Sequence, residues 1–181
     1  MKIEARDITL TAVLASSYVV INLVQAATVG NPAISGPVQL RIADCLISLA
    51  ALFGWPAVAA VTIGGFLTNA YVFMHPVDVV VGPIANLIAA SLVFWFRRRQ
   101  LPACILAAFA IGIIVGGGYL WLIVPSPSIF GLELPAWMAM MVSITVSSLI
   151  ATGVIGYGLL KVLKKPAIRE SLESQGLKTY K

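Results

Sequence analysis

Charge is scarce in this sequence. Only 10% of its 181 residues are Asp, Glu, Lys or Arg, whereas 60% are hydrophobic and the mean hydropathy is +0.98. That shortage excludes a soluble globular domain, whose helices would show polar residues at helical period. Histidine occurs once and cysteine twice. The chain also lacks Gly-x-Ser-x-Gly, His-Glu-x-x-His, a phosphate-cradling loop followed by Lys, and a carboxylate cluster suited to a catalytic metal. These absences argue against an enzyme and against a resident cofactor or metal. Cys45 and Cys104 both lie in apolar segments and read as small core residues. His75 with Asp78 has ligand-like spacing but sits on a Pro-interrupted turn, a weak metal signal.

What is present is a series of apolar runs of about 20 residues, each long enough to cross a hydrocarbon core of roughly 30 Å. Breaks at Pro, Gly and charge place crossings near 8 to 28, 38 to 54, 56 to 74, 77 to 96, 102 to 124 and 136 to 163, followed by a tail over 164 to 181. The expectation is one all-α membrane domain over 1–181, a bundle of six transmembrane helices in the cell membrane. The first run is not read as a signal peptide: Glu4 and Asp7 interrupt its basic start, and it extends from Ile8 to about Val29. Gly30 to Gly36 reads as a loop, Gly54-Trp55-Pro56 as a tight turn, and Pro125 to Pro135 as the longest connection and a candidate lid. No internal repeat is evident, which weakens an inverted-repeat transporter reading.

Cytoplasmic loops hold an excess of Lys and Arg. With both termini in the cytoplasm, eleven of the twelve basic residues fall on that side: Lys2, Arg6, Arg97 to Arg99, Lys161, Lys164, Lys165, Arg169, Lys178 and Lys181. Only Arg41 remains on the other. The net charge of +5 is therefore topological, suited to anionic lipid rather than to nucleic acid.

Removing the cytoplasmic charges leaves Arg41, Asp44, His75, Asp78 and Glu133, and ionisable groups in a membrane are site candidates because they are costly to keep there. Arg41 and Asp44 stand three apart, close enough to pair on a helix or to meet a ligand, with Gln39 on the same rim. Asp78 either caps the fourth helix or shares a cavity with Asn86, two turns deeper. Asn22, Gln25 and Asn69 either bond between helices or join the same outer depth. Tyr71, Phe73, Tyr119, Trp121, Phe130 and Trp137 also fall toward the outer ends, as an interfacial belt would. Trp121 and Trp137 flank the loop that holds Glu133 and are candidates to stack a flat ligand. Carboxylates, amides and indoles together suit a planar heterocycle better than a bare ion or a sugar.

The run Val38-Gln39-Leu40-Arg41-Ile42-Ala43-Asp44-Cys45-Leu46, then Gly64-Gly65-Phe66-Leu67-Thr68-Asn69, then Asp78-Val79-Val80-Val81-Gly82-Pro83-Ile84-Ala85-Asn86-Leu87, resembles the S components of energy-coupling factor (ECF) vitamin transporters, most closely the queuosine-precursor transporter (QueT) family. Leu40 stands where an aromatic is usual and Asp44 where Glu is usual. The resemblance implies a membrane protein that captures a 7-deazaguanine-type base from outside and works with a transmembrane T component and two cytoplasmic ATPases. It implies that Ala12, Ala15 and Ser16, with small-x-x-x-small spacing, face the T component. It also implies that Asp44, Asp78 or Glu133 accepts from the base edge, that Arg41, Asn69 or Asn86 donates to it, and that Trp121 or Trp137 stacks. The metal-carrying branch begins Met-His, whereas this chain begins Met-Lys. The rival expectations are an S component for a biotin, riboflavin or thiamine relative, and a self-sufficient ion-coupled carrier with Asp78 or Glu133 relaying protons.

Overall fold

The computed structural model describes residues 4–30, 33–35, 38–73, 75–129, 131 and 133–180. Lys2, Phe130, Lys181 and the Phe73 side chain lie outside them. The first helix, α1 (Ala5–Thr28), opens with a reciprocal cap: the Glu4 backbone N–H donates to Asp7 Oδ2 at 3.0 Å, satisfying a group that the helix itself leaves free. Beyond Gly30, which takes the left-handed φ of 88° open to glycine, the chain makes a two-stranded antiparallel ribbon, β1 (Ala33–Ser35) and β2 (Val38–Leu40). Residues 38 to 41 were expected inside the second helix. Instead, helix α2 (Ile42–Phe53) starts after Arg41, whose backbone is extended, and its first eight residues form a tight 3-10 helix.

Gly54, at φ 66°, turns the chain sharply, and Pro56 opens α3 (55–73), which is α-helical to Thr68 and then widens into a π-helical stretch over Asn69–Phe73. Pro76 likewise opens α4 (Pro76–Trp95). After the basic turn come α5 (Gln100–Ile123), with a π-helical middle at Gly112–Leu120, and α6 (Ala136–Leu163), with another at Leu149–Gly156. The short α7 (Pro166–Ser174) follows. Four helices, α1, α4, α5 and α6, are long and apolar enough to cross a membrane, at 24, 20, 24 and 28 residues. The molecule is thus a helical membrane bundle, with the ribbon as an added feature.

Helix α2 forms the axis. All its residues from Ala43 to Phe53 are buried, and α1, α3, α4 and α6 surround it. Close approach depends on small residues, because lipid supplies no hydrophobic drive between helices. A Cβ on Gly64 would stand 2.9 Å from Tyr18 Cβ, and one on Gly156 would stand 2.6 Å from the Cys45 carbonyl oxygen, so α1 seats on α3 and α6 on α2 only at glycine. Cys45 and Cys104 are free, buried thiols. Helix α1 is peripheral: 17% of its apolar stretch is buried, against 56% of that in α4.

The two ends of the bundle differ. At one end the C-terminal segment returns to the start of α1 and the α2–α3 turn. Lys178 Nζ lies 2.7 Å from Glu4 Oε1, Arg6 donates to the Gly176 carbonyl, and the Tyr180 N–H donates to the Leu52 carbonyl at 2.8 Å. The Tyr180 ring packs edge-on against Phe94, beneath the Arg97 guanidinium. The other end carries the ribbon, the start of α4 and the α5–α6 loop, and the polar side chains gather there.

Candidate functional site

Gln25, in the last turn of α1, ties the ribbon to α2. Its Nε2 donates to the Leu40 carbonyl at 2.7 Å and to that of Gly30 at 3.2 Å, and its Oε1 accepts from the Ile42 N–H at 2.9 Å. On β2, Gln39 is held by its carbonyl, which accepts from the Ser147 hydroxyl, and its Nε2 lies 3.5 Å from Met140 Sδ. These bonds fix where Arg41 leaves the backbone. Because Arg41 precedes the helix (φ −110°, ψ 105°), its side chain crosses to α4 rather than lying along α2, and its Nη2 comes 3.7 Å from Asp78 Oδ2. The three-residue spacing to Asp44 assumed a helix through Arg41; the structure gives Arg41 an ion pair with Asp78 instead.

Asp78 is buried in the first turn of α4 and makes no capping bond, so the capping reading is replaced by one of tertiary contacts. Its Oδ1 accepts from the Tyr119 hydroxyl, and Asn69 Nδ2 donates to its main-chain carbonyl at 2.8 Å. A Cβ on Gly82 would strike the Asn69 amide, so that glycine lets α3 present Asn69 to α4. Asn69 and Tyr119 both stand on π-helical stretches, a geometry that recurs at functional sites.

Deeper in the bundle, Tyr18 donates its hydroxyl proton to Asp44 Oδ1 at 2.6 Å and accepts from Asn86 Nδ2 at 3.1 Å. The same Asn86 amide reaches the Val61 carbonyl at 3.2 Å. Gly65 gives it room, since a Cβ there would stand 2.7 Å from Nδ2. The Arg41 guanidinium lies within electrostatic reach of Asp78, Asp44, Tyr18 and Tyr119, which joins the outer and deeper groups into one network. Such a network orders both acceptors and donors in a low-dielectric setting, where each bond is worth more than in water.

The structure therefore brings together Arg41, Asp44, Asn69, Asp78 and Asn86. It does not bring Glu133 or Trp137 to them: both are exposed, Glu133 on the α5–α6 loop and Trp137 at the start of α6. Trp121 is half-buried against the apolar core, its indole N–H donating to the Gly117 carbonyl at 3.1 Å. Asn22 is buried within α1, donating to the Tyr18 carbonyl. Tyr18 and Tyr119 were missed as site residues, although a phenol deep in an apolar run signals a hydroxyl that must find a partner. On the outer face of α1, Ala12 and Ser16 are exposed along a groove of about 430 Å³, whereas Ala15 is buried toward α3. A groove of about 640 Å³ continues past Ala12 to Trp55 and Tyr180.

No match was found among curated proteins or among solved structures. The sequence model described as QueT transporter matches residues 8–165. That match spans α1 to α6 and with them every residue of the polar network, and the chain belongs to the QueT family, a family of transporters rather than of enzymes.

Proposed function

We propose that the protein is the substrate-binding S component of an ECF-type importer and that it captures a queuosine precursor, a 7-deazaguanine-type base, from outside the cell. In this reading it crosses the cell membrane six times with both termini in the cytoplasm. Arg6, Arg97 and Lys178 stand at the end where the termini meet, and the polar network stands at the opposite end, as the positive-inside rule favours. A transmembrane T component and two cytoplasmic ATPases drive delivery, and Ala12 and Ser16 on the exposed face of α1 contact the T component.

The observation that carries the reading is the Asp44–Tyr18–Asn86 chain. A guanine-like edge presents an N1–H and an exocyclic amine, which one carboxylate accepts, beside an O6 that an amide donor serves. Asp44 takes the first role and Asn86 the second, exchanging its bond to the Val61 carbonyl for one to the ligand, while Tyr18 holds both in register. Trp121 offers the stacking face nearest the core. In a dry site each unmatched group costs about 1–3 kcal/mol, which makes the pattern selective.

The test is a titration of the detergent-purified protein with 7-deazaguanine, followed by tryptophan fluorescence. Asp44→Asn is expected to weaken binding at least about tenfold, whereas Glu133→Ala, on the exposed loop, leaves it unchanged. Wild-type affinity in both Asp44→Asn and Asp44→Ala would reject the role of the carboxylate. Purification from the native membrane with ATPases and a T component attached supports the S-component assignment; uptake that persists without them favours an ion-coupled carrier.

A further inference from the structure

At the end of the bundle where the termini meet, cations outnumber the carboxylates that could match them. The turn after α4 and the stretch from Lys161 to Ser174 hold seven Lys and Arg against Glu170 and Glu173, while Glu4 is engaged with Lys178 and Asp7 with the cap of α1. Three of the seven are half-buried and fixed near one another. The Arg97 guanidinium lies 4.7 Å from the centre of the Phe94 ring and 5.1 Å from that of Tyr180, and its Nη1 donates to the Phe94 carbonyl at 3.1 Å. Arg169 Nε donates to Thr179 Oγ1 at 3.0 Å and to Glu173 Oε1 at 2.8 Å. Because Thr179 and Tyr180 are consecutive, the C-terminal segment brings the two guanidiniums to neighbouring places. Lys164, the residue after α6, lies within electrostatic reach of both.

Among the described residues, Arg169 alone of the three has a carboxylate partner, and Lys164 Nζ makes no hydrogen bond or ion pair. Each guanidinium keeps N–H donors to spare. Like charges held together and partly stripped of water repel one another, so the arrangement is favourable only with an anion among them. Its depth says which kind. Arg97 follows the end of α4 by two residues and Lys164 follows that of α6 directly, while Trp95 and Phe96 beside them are exposed, as aromatic residues are at headgroup level.

We infer that Arg97, Lys164 and Arg169 form a binding site for the phosphate of an anionic phospholipid, at the end of the bundle opposite the polar network. A phosphodiester accepts paired bonds from a guanidinium and a point charge from the ammonium, and basic pockets at helix ends hold headgroups by these contacts. A zwitterionic lipid is a poorer match, because its own cation meets the three already there. Trp95 and Val162, exposed in the last turns of α4 and α6, offer apolar surface to the acyl chains. The site is independent of the substrate and of the importer assignment.

The experiment follows the unfolding temperature of the full-length protein in a neutral detergent while dioctanoyl phosphatidylglycerol, dioctanoyl phosphatidylcholine or inorganic phosphate is added. Phosphatidylglycerol is expected to raise it along a saturating curve, and the other two at equal concentration are not. Lys164→Gln should move that curve to at least about tenfold higher concentration, whereas Lys178→Gln, which removes the same charge from the same end, leaves it in place. The comparison of the three additives on the wild-type protein decides the matter even if a variant does not fold. An equal rise with phosphatidylcholine overturns the inference, and an equal rise with inorganic phosphate assigns the site to the free anion and overturns the lipid. No rise with any of the three also overturns it. Equal weakening by Lys164→Gln and Lys178→Gln reduces the effect to the general field of this end and removes the site.

Discussion

Tyr18 is almost fully buried, and its single hydroxyl serves two partners from different helices: it donates to Asp44 and accepts from Asn86. Tyr18→Phe removes the oxygen and keeps the ring, so packing is preserved while a buried carboxylate and a buried amide each lose a partner. The expected cost is about 1–3 kcal/mol of stability, read as a lower unfolding temperature in detergent, together with weaker 7-deazaguanine binding. An unchanged unfolding temperature would mean that water replaces the hydroxyl. At this scale the carboxylates and amides were legible in the sequence, because Asp44, Asp78, Asn69 and Asn86 interrupt apolar runs where polarity is costly. Tyr119 was not, since a tyrosine near the end of a span reads equally well as part of an interfacial belt, and Tyr18, in the middle of α1, was passed over among its apolar neighbours. Nor was the partner of Arg41, which depends on a backbone conformation that spacing alone does not reveal. Glu133 and Trp137 stand exposed and apart from this network, because sequence proximity to a connecting loop does not say which way that loop faces.

Helices meet here at glycine, and the positions differ sharply in what they tolerate. Gly65→Ala places a methyl group 2.7 Å from Asn86 Nδ2, against the donor that reaches Tyr18 and Val61. Binding of 7-deazaguanine is therefore expected to fall in Gly65→Ala. Gly153→Ala, where nothing lies within 4 Å, should bind and unfold as the wild type does. The pair of titrations separates a specific collision from a general sensitivity of glycine to replacement. The apolar helices were readable as elements because length and hydropathy mark them directly, and Gly54-Trp55-Pro56 announced its turn. The ribbon escaped because three-residue strands carry too few side chains to show a period of two, and because Val38-Gln39-Leu40 runs without a break into an apolar helix.

Across the whole molecule, the polar network and the meeting point of the termini occupy opposite ends, so changes at one should leave the other intact. Lys164, just past α6, tests this. Burial pushes its ammonium below the usual lysine range, and Arg169 and Arg97 add repulsion. The folded protein thus holds that proton less tightly than the unfolded chain, and stability should rise as pH climbs from neutrality toward the ordinary lysine value. Unfolding temperatures across that range are expected to climb less steeply in Lys164→Gln, with ligand affinity at neutral pH unaltered. Equal slopes for the two proteins would show that Lys164 titrates as it does in the unfolded chain. The central position of α2 has a consequence for the surrounding bilayer. From Ala43 to Phe53 it meets only protein, so it has no acyl chains to match, and thinner or thicker membranes should tilt and strain the outer helices while Asp44 keeps its place.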